Sequence, residues 1–256
     1  EEAFQRPDLE EEMQRVLKLI SVINSARMKA KLKRRWPLRL ALVVLEDADS
    51  LSRHIDLVKE QANVKDVRLT SELRGTPIGL KITPRYDLLG GKLKDKMPTV
   101  AKHLAQADSL RIYSELKEKG MIAVKLDGEE VQISREELSI DYVTTDEKYV
   151  VSEREGVVVA LQVERDSDLI SEGNVRDLAR RLQALRKERG YNPTDILHAA
   201  YVAGLDSEWR ESLSSRFEEL TYLVRVKEIK IMDQPVEGVQ WSDAEIDGKP
   251  IKISVE

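Results

Sequence analysis

From Met13 to Leu45 the chain carries nine basic residues and no acidic one, and within that window helical sequence gives way to extended sequence. Leu9, Met13, Val16, Ile20 and Ile23 recur at steps of four and three, which places them on one stripe of a helix. Asp8 reads as the N-cap of that helix, with Glu11 three residues on in the manner of a capping box. Acids at its start and bases at its end suit the helix dipole. Trp36-Pro37 ends the helical region, because proline pushes the residue before it out of the α conformation. The apolar run Leu38–Leu45 that follows has the length of a buried strand. The window sums to +9 in a chain of net charge −5, so the rest sums to −14. Cations segregated on an acidic protein point to a polyanionic partner bound at one place.

The remaining chain alternates short strands with amphipathic helices and reads as α+β. At 256 residues it is long enough for two cores. Asp49 or Ser50 caps a helix through Leu51, Ile55, Val58 and Ala62, and Val64–Leu69 and Ile78–Thr83 are strands. Leu89–Lys119 is mostly helical around Val100–Ala107 and Leu110–Lys117. Met121–Leu126 and Glu129–Ile133 flank Asp127-Gly128, a hairpin signal. Leu138–Thr144 and Lys148–Ser152 extend that sheet. Glu155-Gly156 is read as the turn that opens a second unit. There, Val157–Glu164 is a strand and Ile170–Arg189 a helix closed by Gly190. A strand Ile196–Ala203, a helix Ser207–Leu220, a strand Leu223–Met232 and a hairpin across Asp247-Gly248 complete it. The expected segments are 1–37, a helix from a helical domain, then α+β subdomains at 38–154 and 155–256. The chain lacks an initiator Met and opens inside a helical pattern, so it reads as a piece excised from a longer protein.

Several chemistries find no support. No run approaches the roughly 20 apolar residues of a bilayer span, and the acidic, polar start is not a signal peptide. Without cysteine there are no disulfides, thiol nucleophiles or thiolate zinc sites, a composition suited to the reducing cytosol. His54, His103 and His198 are far apart in sequence and are expected to be solvated or hydrogen-bonded. Gly90-Gly91 before Lys92 and Lys94 lacks phosphate-loop spacing and reads as a turn. Lys96-Met97-Pro98 is not a nucleotide signature, and no G-x-S-x-G frames a serine. No catalytic residue, metal site or cofactor site is expected.

Two constellations remain. Arg27, Lys29, Lys31, Lys33, Arg34, Arg35 and Arg39 surround Trp36 in sequence. Such cations can neutralise phosphates while an indole stacks on a base. The alternative is a solvated helix end beside a core tryptophan. On the helix 170–189, Val175, Leu178, Leu182 and Leu185 share one side. Arg176, Arg180, Gln183 and Lys187 lie nearly opposite, where they could grip a sugar-phosphate backbone or form an ordinary exposed face.

These residues also carry a family resemblance. Ser25-Ala26-Arg27-x-Lys29-Ala30-x-Leu32-Lys33-x-Arg35-Trp36-Pro37-Leu38 resembles the last helix of the anticodon-binding domain of isoleucyl-tRNA synthetases and its exit. Leu88-Leu89-Gly90-Gly91-Lys92-Leu93-Lys94-Asp95-Lys96-Met97 is similar to a second family pattern. Leu169-Ile170-x-Glu172-Gly173 through Arg176-Asp177-Leu178-x-Arg180-x-Leu182-Gln183-x-Leu185-Arg186-Lys187 is similar to a third, the most specific. Asn192-Pro193 and Leu32 depart from the usual residues. The missing cysteines resemble the archaeal/eukaryotic-type branch. The resemblance implies a cytoplasmic parent ligase, a class I synthetase using ATP and Mg to attach isoleucine to its tRNA. The catalytic and editing domains would lie outside this chain, which would be inactive alone. The implied partners are isoleucine-specific tRNA and those N-terminal domains, with no membrane. The implied role is positioning of the anticodon arm through Arg27, Lys29, Lys31, Lys33, Arg34, Arg35 and Trp36, then Arg176, Arg180 and Lys187. The alternative is a scaffold region that touches RNA little.

Overall fold

The computed structural model describes residues 7–126 and 128–256 and is an α+β protein. It divides into two compact units, the first running to residue 31 and again from 40 to 163, the second comprising 32–39 and 164–256.

In the first unit, α1 (Pro7–Lys29) lies on a four-stranded sheet of order β2-β1-β8-β7, made by β1 (Leu38–Val44), β2 (Val64–Thr70), β7 (Tyr149–Arg154) and β8 (Val157–Gln162). The first two residues of β1 are counted with the second unit. The helix buries Val16, Leu19, Val22, Ile23 and Ala26, whereas Leu9 of the expected stripe is exposed. Two departures at its ends are local. Asp8 sits inside the first turn rather than at the cap, and the helix stops at Lys29, well before Trp36-Pro37. A 3-10 turn at Asp49–His54 precedes α2 (Ile55–Ala62), without the expected side-chain cap.

The unit boundary expected at 154/155 falls at 163/164, because β8 completes the first sheet instead of opening a new one. It pairs antiparallel with both β1 and β7, with Ala41 opposite Leu161 and Val151 opposite Ala160. Val157 to Leu161 are all buried, because α1 covers one face of β8 and a second cluster (Val44, Ile78, Val158, Ala160) the other. An interior strand covered on both faces reads as a continuous apolar run rather than an alternating one.

The rest of the first unit packs α3 (Tyr86–Leu93), α4 (Met97–Gln106) and α5 (Ser109–Lys119) against two antiparallel ribbons. One ribbon pairs β3 (Ile78–Pro84) with β6 (Leu138–Thr144), the other β4 (Met121–Leu126) with β5 (Glu129–Ser134). Asp127 of the expected Asp127-Gly128 turn lies outside the described residues. Gly90-Gly91 is helical, inside α3, rather than a turn. Leu89 and Leu93, one helical turn apart, are both buried, which offsets the roughly 1 kcal/mol per residue that glycine costs a helix interior.

The second unit is α6 (Ser167–Glu188), α7 (Ser207–Ser214) and α8 (Phe217–Val224) with a sheet of order β10-β9-β12-β11. Its strands are β9 (Leu197–Ala203), β10 (Val226–Met232), β11 (Ser242–Ile246) and β12 (Lys249–Val255). β9 and β10 are parallel, joined through α7 and α8; the other pairs are antiparallel. The single helix expected at Ser207–Leu220 is two helices, and Leu223 and Val224 end the second rather than start a strand. The break at Ser215-Arg216 lets the Arg216 guanidinium reach Asp168 at 2.6 Å and Glu219 at 2.7 Å. The Asp247-Gly248 hairpin forms with both residues at positive φ, as a type I′ turn requires.

Val175, Leu178, Leu182 and Leu185 of α6 are buried in the core of this unit, as their spacing predicts. The helix also buries Arg186, whose guanidinium donates to the carbonyls of Val224, Arg225 (3.0 Å), Asn192 (3.2 Å) and Asp195 (2.8 Å). One side chain thereby ties the end of α8 to the loop before β9. Arg186→Met should cost about 3 kcal/mol, because it leaves several carbonyls without a donor, and urea unfolding should show the midpoint falling accordingly.

Two helix caps set a pH dependence. Asp166 Oδ1 accepts the Leu169 amide at 2.9 Å, and this bond, then Arg39, holds its carboxyl below the ordinary range. Asp206 is held down first by Lys249, then by the Trp209 amide. Carboxyls depressed in the folded state contribute stability that is complete above about pH 4, the ordinary value, and lost as pH falls through the lowered folded value. Thermal midpoints should therefore drop below about pH 4. The doubly substituted Asp166→Asn, Asp206→Asn protein should show a flatter acid limb, and an unchanged limb would contradict this assignment.

Candidate nucleic-acid interface

The basic segment does not form one cationic helix end. Lys31 follows α1 in a left-handed conformation (φ 56°), and residues on either side of it belong to different units. In the first unit Arg27 is only 1% exposed. Its guanidinium donates to the carbonyls of Ala62 (2.9 Å) and Asn63 (3.1 Å), where α2 ends in a left-handed turn. A cation at a helix C-terminus complements both the free carbonyls and the dipole. Burial thus removes Arg27 from any surface a phosphate could touch, contrary to the sequence expectation. Lys29 is exposed and donates to the Val151 carbonyl at 3.2 Å; Lys31 is exposed.

In the second unit the first and third family motifs meet. Asp177, on α6, is buried at 4% exposure. It pairs with Arg35, accepts from the Trp36 indole at 3.2 Å and lies 3.4 Å from Lys33 Nζ. Lys33 also reaches Asp247 at 2.5 Å. Gly173 precedes Asp177 by one helical turn, so both face the same way. A Cβ on Gly173 would stand 3.1 Å from Trp36 Cδ1, so the glycine leaves the room the indole occupies. Arg165 lies over the indole, 3.9 Å from the ring centroid, and Lys33 Nζ at 4.7 Å. Arg39 pairs with Asp166, the cap of α6. The half-buried Trp36 is therefore surrounded by protein groups of its own unit.

Charge accumulates around this junction. Burial, then Arg180 and Arg181, hold the Arg35 guanidinium below its ordinary pKa, with Asp247 opposing. Burial also lowers that of Arg165. Of the expected stripe on α6, Arg176 turns back to the buried Glu172 at 2.6 Å. Arg216 stands 3.7 Å from the same carboxylate and is held above its ordinary pKa by Asp168, then Glu219. Gln183 donates to the Leu223 carbonyl at 2.7 Å. Arg180, Lys187 and Arg34 are exposed. Only part of the predicted set therefore faces outward.

Sequence reasoning missed Asp177, Glu172, Arg165 and Asp166 as organising groups. A signal existed for the first two. Asp177 adjoins Leu178 on the core side of α6, and a carboxylate there demands a cationic partner. The histidines stay apart: His54 meets Glu12 at 3.2 Å and His198 lies 4.0 Å from Glu228. Among the described residues no group of three or more His, Cys, Asp or Glu is placed to hold a metal ion, and no helix is long and apolar enough to cross a membrane.

Asp177→Ala takes the buried carboxylate from Arg35 and one acceptor from the Trp36 indole, while Lys33 keeps Asp247. It should destabilise the second unit by about 3 kcal/mol, read as a lower urea midpoint, since removing one partner of a buried pair strands the other.

No protein-family model matches the chain. Its sequence is 31% identical over 256 residues to an isoleucine–tRNA ligase from Thermoplasma acidophilum, covering 97% of this chain and 23% of that protein. A ligase of the same name from Methanopyrus kandleri is 31% identical over 251 residues, 96% of this chain and 22% of that protein. One from Clostridium tetani is 25% identical over 249 residues, with 97% and 23% covered. The chain thus spans about a quarter of the length of the curated relatives it matches. The three cover nearly the same extent of this chain, so the comparison does not sort it among branches of the family. Along nearly its whole length the chain is a relative of the isoleucine–tRNA ligases, matching the C-terminal region that its three motifs resemble.

Proposed function

We propose that this chain is the tRNA-engaging portion of an isoleucine–tRNA ligase and positions the anticodon arm while chemistry proceeds elsewhere in the parent enzyme. ATP and Mg act in a catalytic domain outside this chain, as does editing, and the chain alone activates no amino acid. The setting is the cytoplasm, the partners are isoleucine-specific tRNA and the ligase's own N-terminal domains, and no membrane is involved. In this reading the ligase is of the archaeal/eukaryotic type.

The observation that carries the proposal is the division of labour among the cations. Arg27, Lys33 and Arg35 satisfy carbonyls and carboxylates inside the protein. Arg34, Arg180 and Lys187 of the second unit are exposed. Lys29 and Lys31 are exposed on the first unit. Outward cations on a braced helix suit a sugar-phosphate backbone, which needs charge at fixed spacing rather than base-specific donors. Trp36 and Arg176 act as positioning groups, through Asp177 and Glu172.

The same pairs favour a second reading, a scaffold that braces the ligase and touches RNA little. Binding of isoleucine-accepting tRNA to the full ligase at several salt concentrations separates the two. Each phosphate neutralised contributes a slope of roughly −0.7 to −0.9 in log K against log[salt]. The Arg34→Gln, Arg180→Gln, Lys187→Gln triple variant should lower the magnitude of the slope by about 2 and weaken binding. An unchanged slope and affinity would leave the scaffold reading standing.

A further inference from the structure

The first unit holds a cleft of about 460 Å³, and every described residue that lines it belongs to that unit. Its floor is apolar. Val44 on β1 and Val158 on β8 stand opposite each other in the sheet register, so both project from one face, and Leu73 and Tyr142 pack against them. Tyr113 of α5 meets Tyr142 edge to face, with ring centroids 6.5 Å apart and hydroxyls 3.1 Å apart. One phenol donates to the other in that pair, which leaves one O–H for a further acceptor.

Three ion pairs stand around this floor. Arg15 of α1 meets Asp47 at 3.0 Å, and Lys117 of α5 meets Glu46 at 2.7 Å. Lys18 of α1 meets the Glu155 carboxylate at 3.0 Å and donates to its carbonyl at 2.9 Å. Glu155 lies at positive φ (50°) in the turn between β7 and β8. Hydrogen bonds from Lys117, Arg15 and Lys18 hold the carboxyls of Glu46, Asp47 and Glu155, in that order, below the ordinary range, so all three are ionised at neutral pH. Among the described lining residues the charge is therefore balanced, three cations against three carboxylates.

That balance selects the ligand. A phosphate would meet three carboxylates of its own sign, and a purely apolar molecule would desolvate the rim charges without replacing their partners. An α-amino acid carries a carboxylate and an ammonium on one carbon, beside an apolar side chain. Solvent-exposed ion pairs are weak, and the Glu46 side chain is 83% exposed, so partners at this rim exchange readily. The ligand carboxylate takes a place beside Lys117 or Arg15, and its ammonium takes the carboxylate so released. The number of ion pairs is kept, and the gain is the ligand side chain leaving water for the apolar floor. A volume of about 460 Å³ falls in the lower part of the roughly 300–1,000 Å³ range of small-molecule sites.

We infer that this cleft binds a free aliphatic α-amino acid, with its two charges exchanged into the rim ion pairs and its side chain on the Val44–Val158 floor. The inference is independent of the tRNA-binding reading, and the site binds without catalysing. A bound amino acid would join α1, α5, the end of β1 and the β7–β8 turn.

The test is an NMR titration of the 256-residue protein with isoleucine, glycine, 3-methylpentanoate, 2-methylbutylamine and inorganic phosphate. Isoleucine should bind saturably and shift the methyl signals of Val44 and Val158. Glycine lacks the apolar side chain and the two analogues each lack one charge, so all three should bind at least about ten-fold more weakly. Lys117→Gln and Glu155→Gln, both at exposed positions, should keep the folded spectrum and each weaken isoleucine binding about ten-fold. No saturable binding of isoleucine, or shifts confined to other parts of the protein, would overturn the inference. So would an isoleucine affinity unchanged in both variants, or single-charge analogues that bind as tightly as isoleucine, since either leaves the rim without a role. Phosphate binding as tight as that of isoleucine would overturn it by assigning an anion site.

Discussion

The second unit depends on one buried carboxylate. Asp177 faces inward on α6 in a setting where an unmatched charge costs several kcal/mol, so it must be met by cations and donors. Arg35, Lys33 and the Trp36 indole supply them, and Gly173 one turn earlier leaves space for the ring. A segment of eight residues, 32–39, is thereby fixed to a helix that begins more than a hundred residues later. The density of positive charge around Trp36 has a structural cause before it has a functional one. Removing Asp177 takes the carboxylate from Arg35 and an acceptor from the Trp36 indole, which marks these residues as framework.

The same logic recurs. Arg27 closes the end of α2, Arg186 gathers carbonyls from two loops, and Arg216 joins Asp168 to Glu219. Arginine suits each place because its planar fork presents several donors at fixed angles and keeps its charge when buried. With so many cations engaged inward, the outward field is narrower than the +9 window suggests. It is confined to exposed side chains such as Arg34, Arg180 and Lys187. A surface of that kind, on a protein of net charge −5, attracts a polyanion locally rather than globally.

Much of the fold was legible. The 3.6-residue spacing on α6, the Asp247-Gly248 hairpin and the α+β class follow from period and turn chemistry, and all are present. What escaped depends on tertiary partners. Glu155-Gly156 is a turn, yet the strand after it returns to the first sheet, and no local signal says which sheet a strand joins. Gly90-Gly91 looks like a break until Leu89 and Leu93 are seen to need one helical face. The candidate site was legible as composition but not as direction. Sequence shows that cations cluster near Trp36, but whether each points to Asp177 or to solvent is decided by helix rotation and packing.

The central claim is that the outward side of α6 meets RNA while the residues around Trp36 serve the interior. Photo-crosslinking of isoleucine-accepting tRNA to the full ligase, with adducts mapped to residues, tests it most directly. Adducts should concentrate on the exposed α6 side between residues 180 and 187, with none at Arg27 or Trp36. Adducts centred on Trp36, or an α6 surface free of them, would contradict the account.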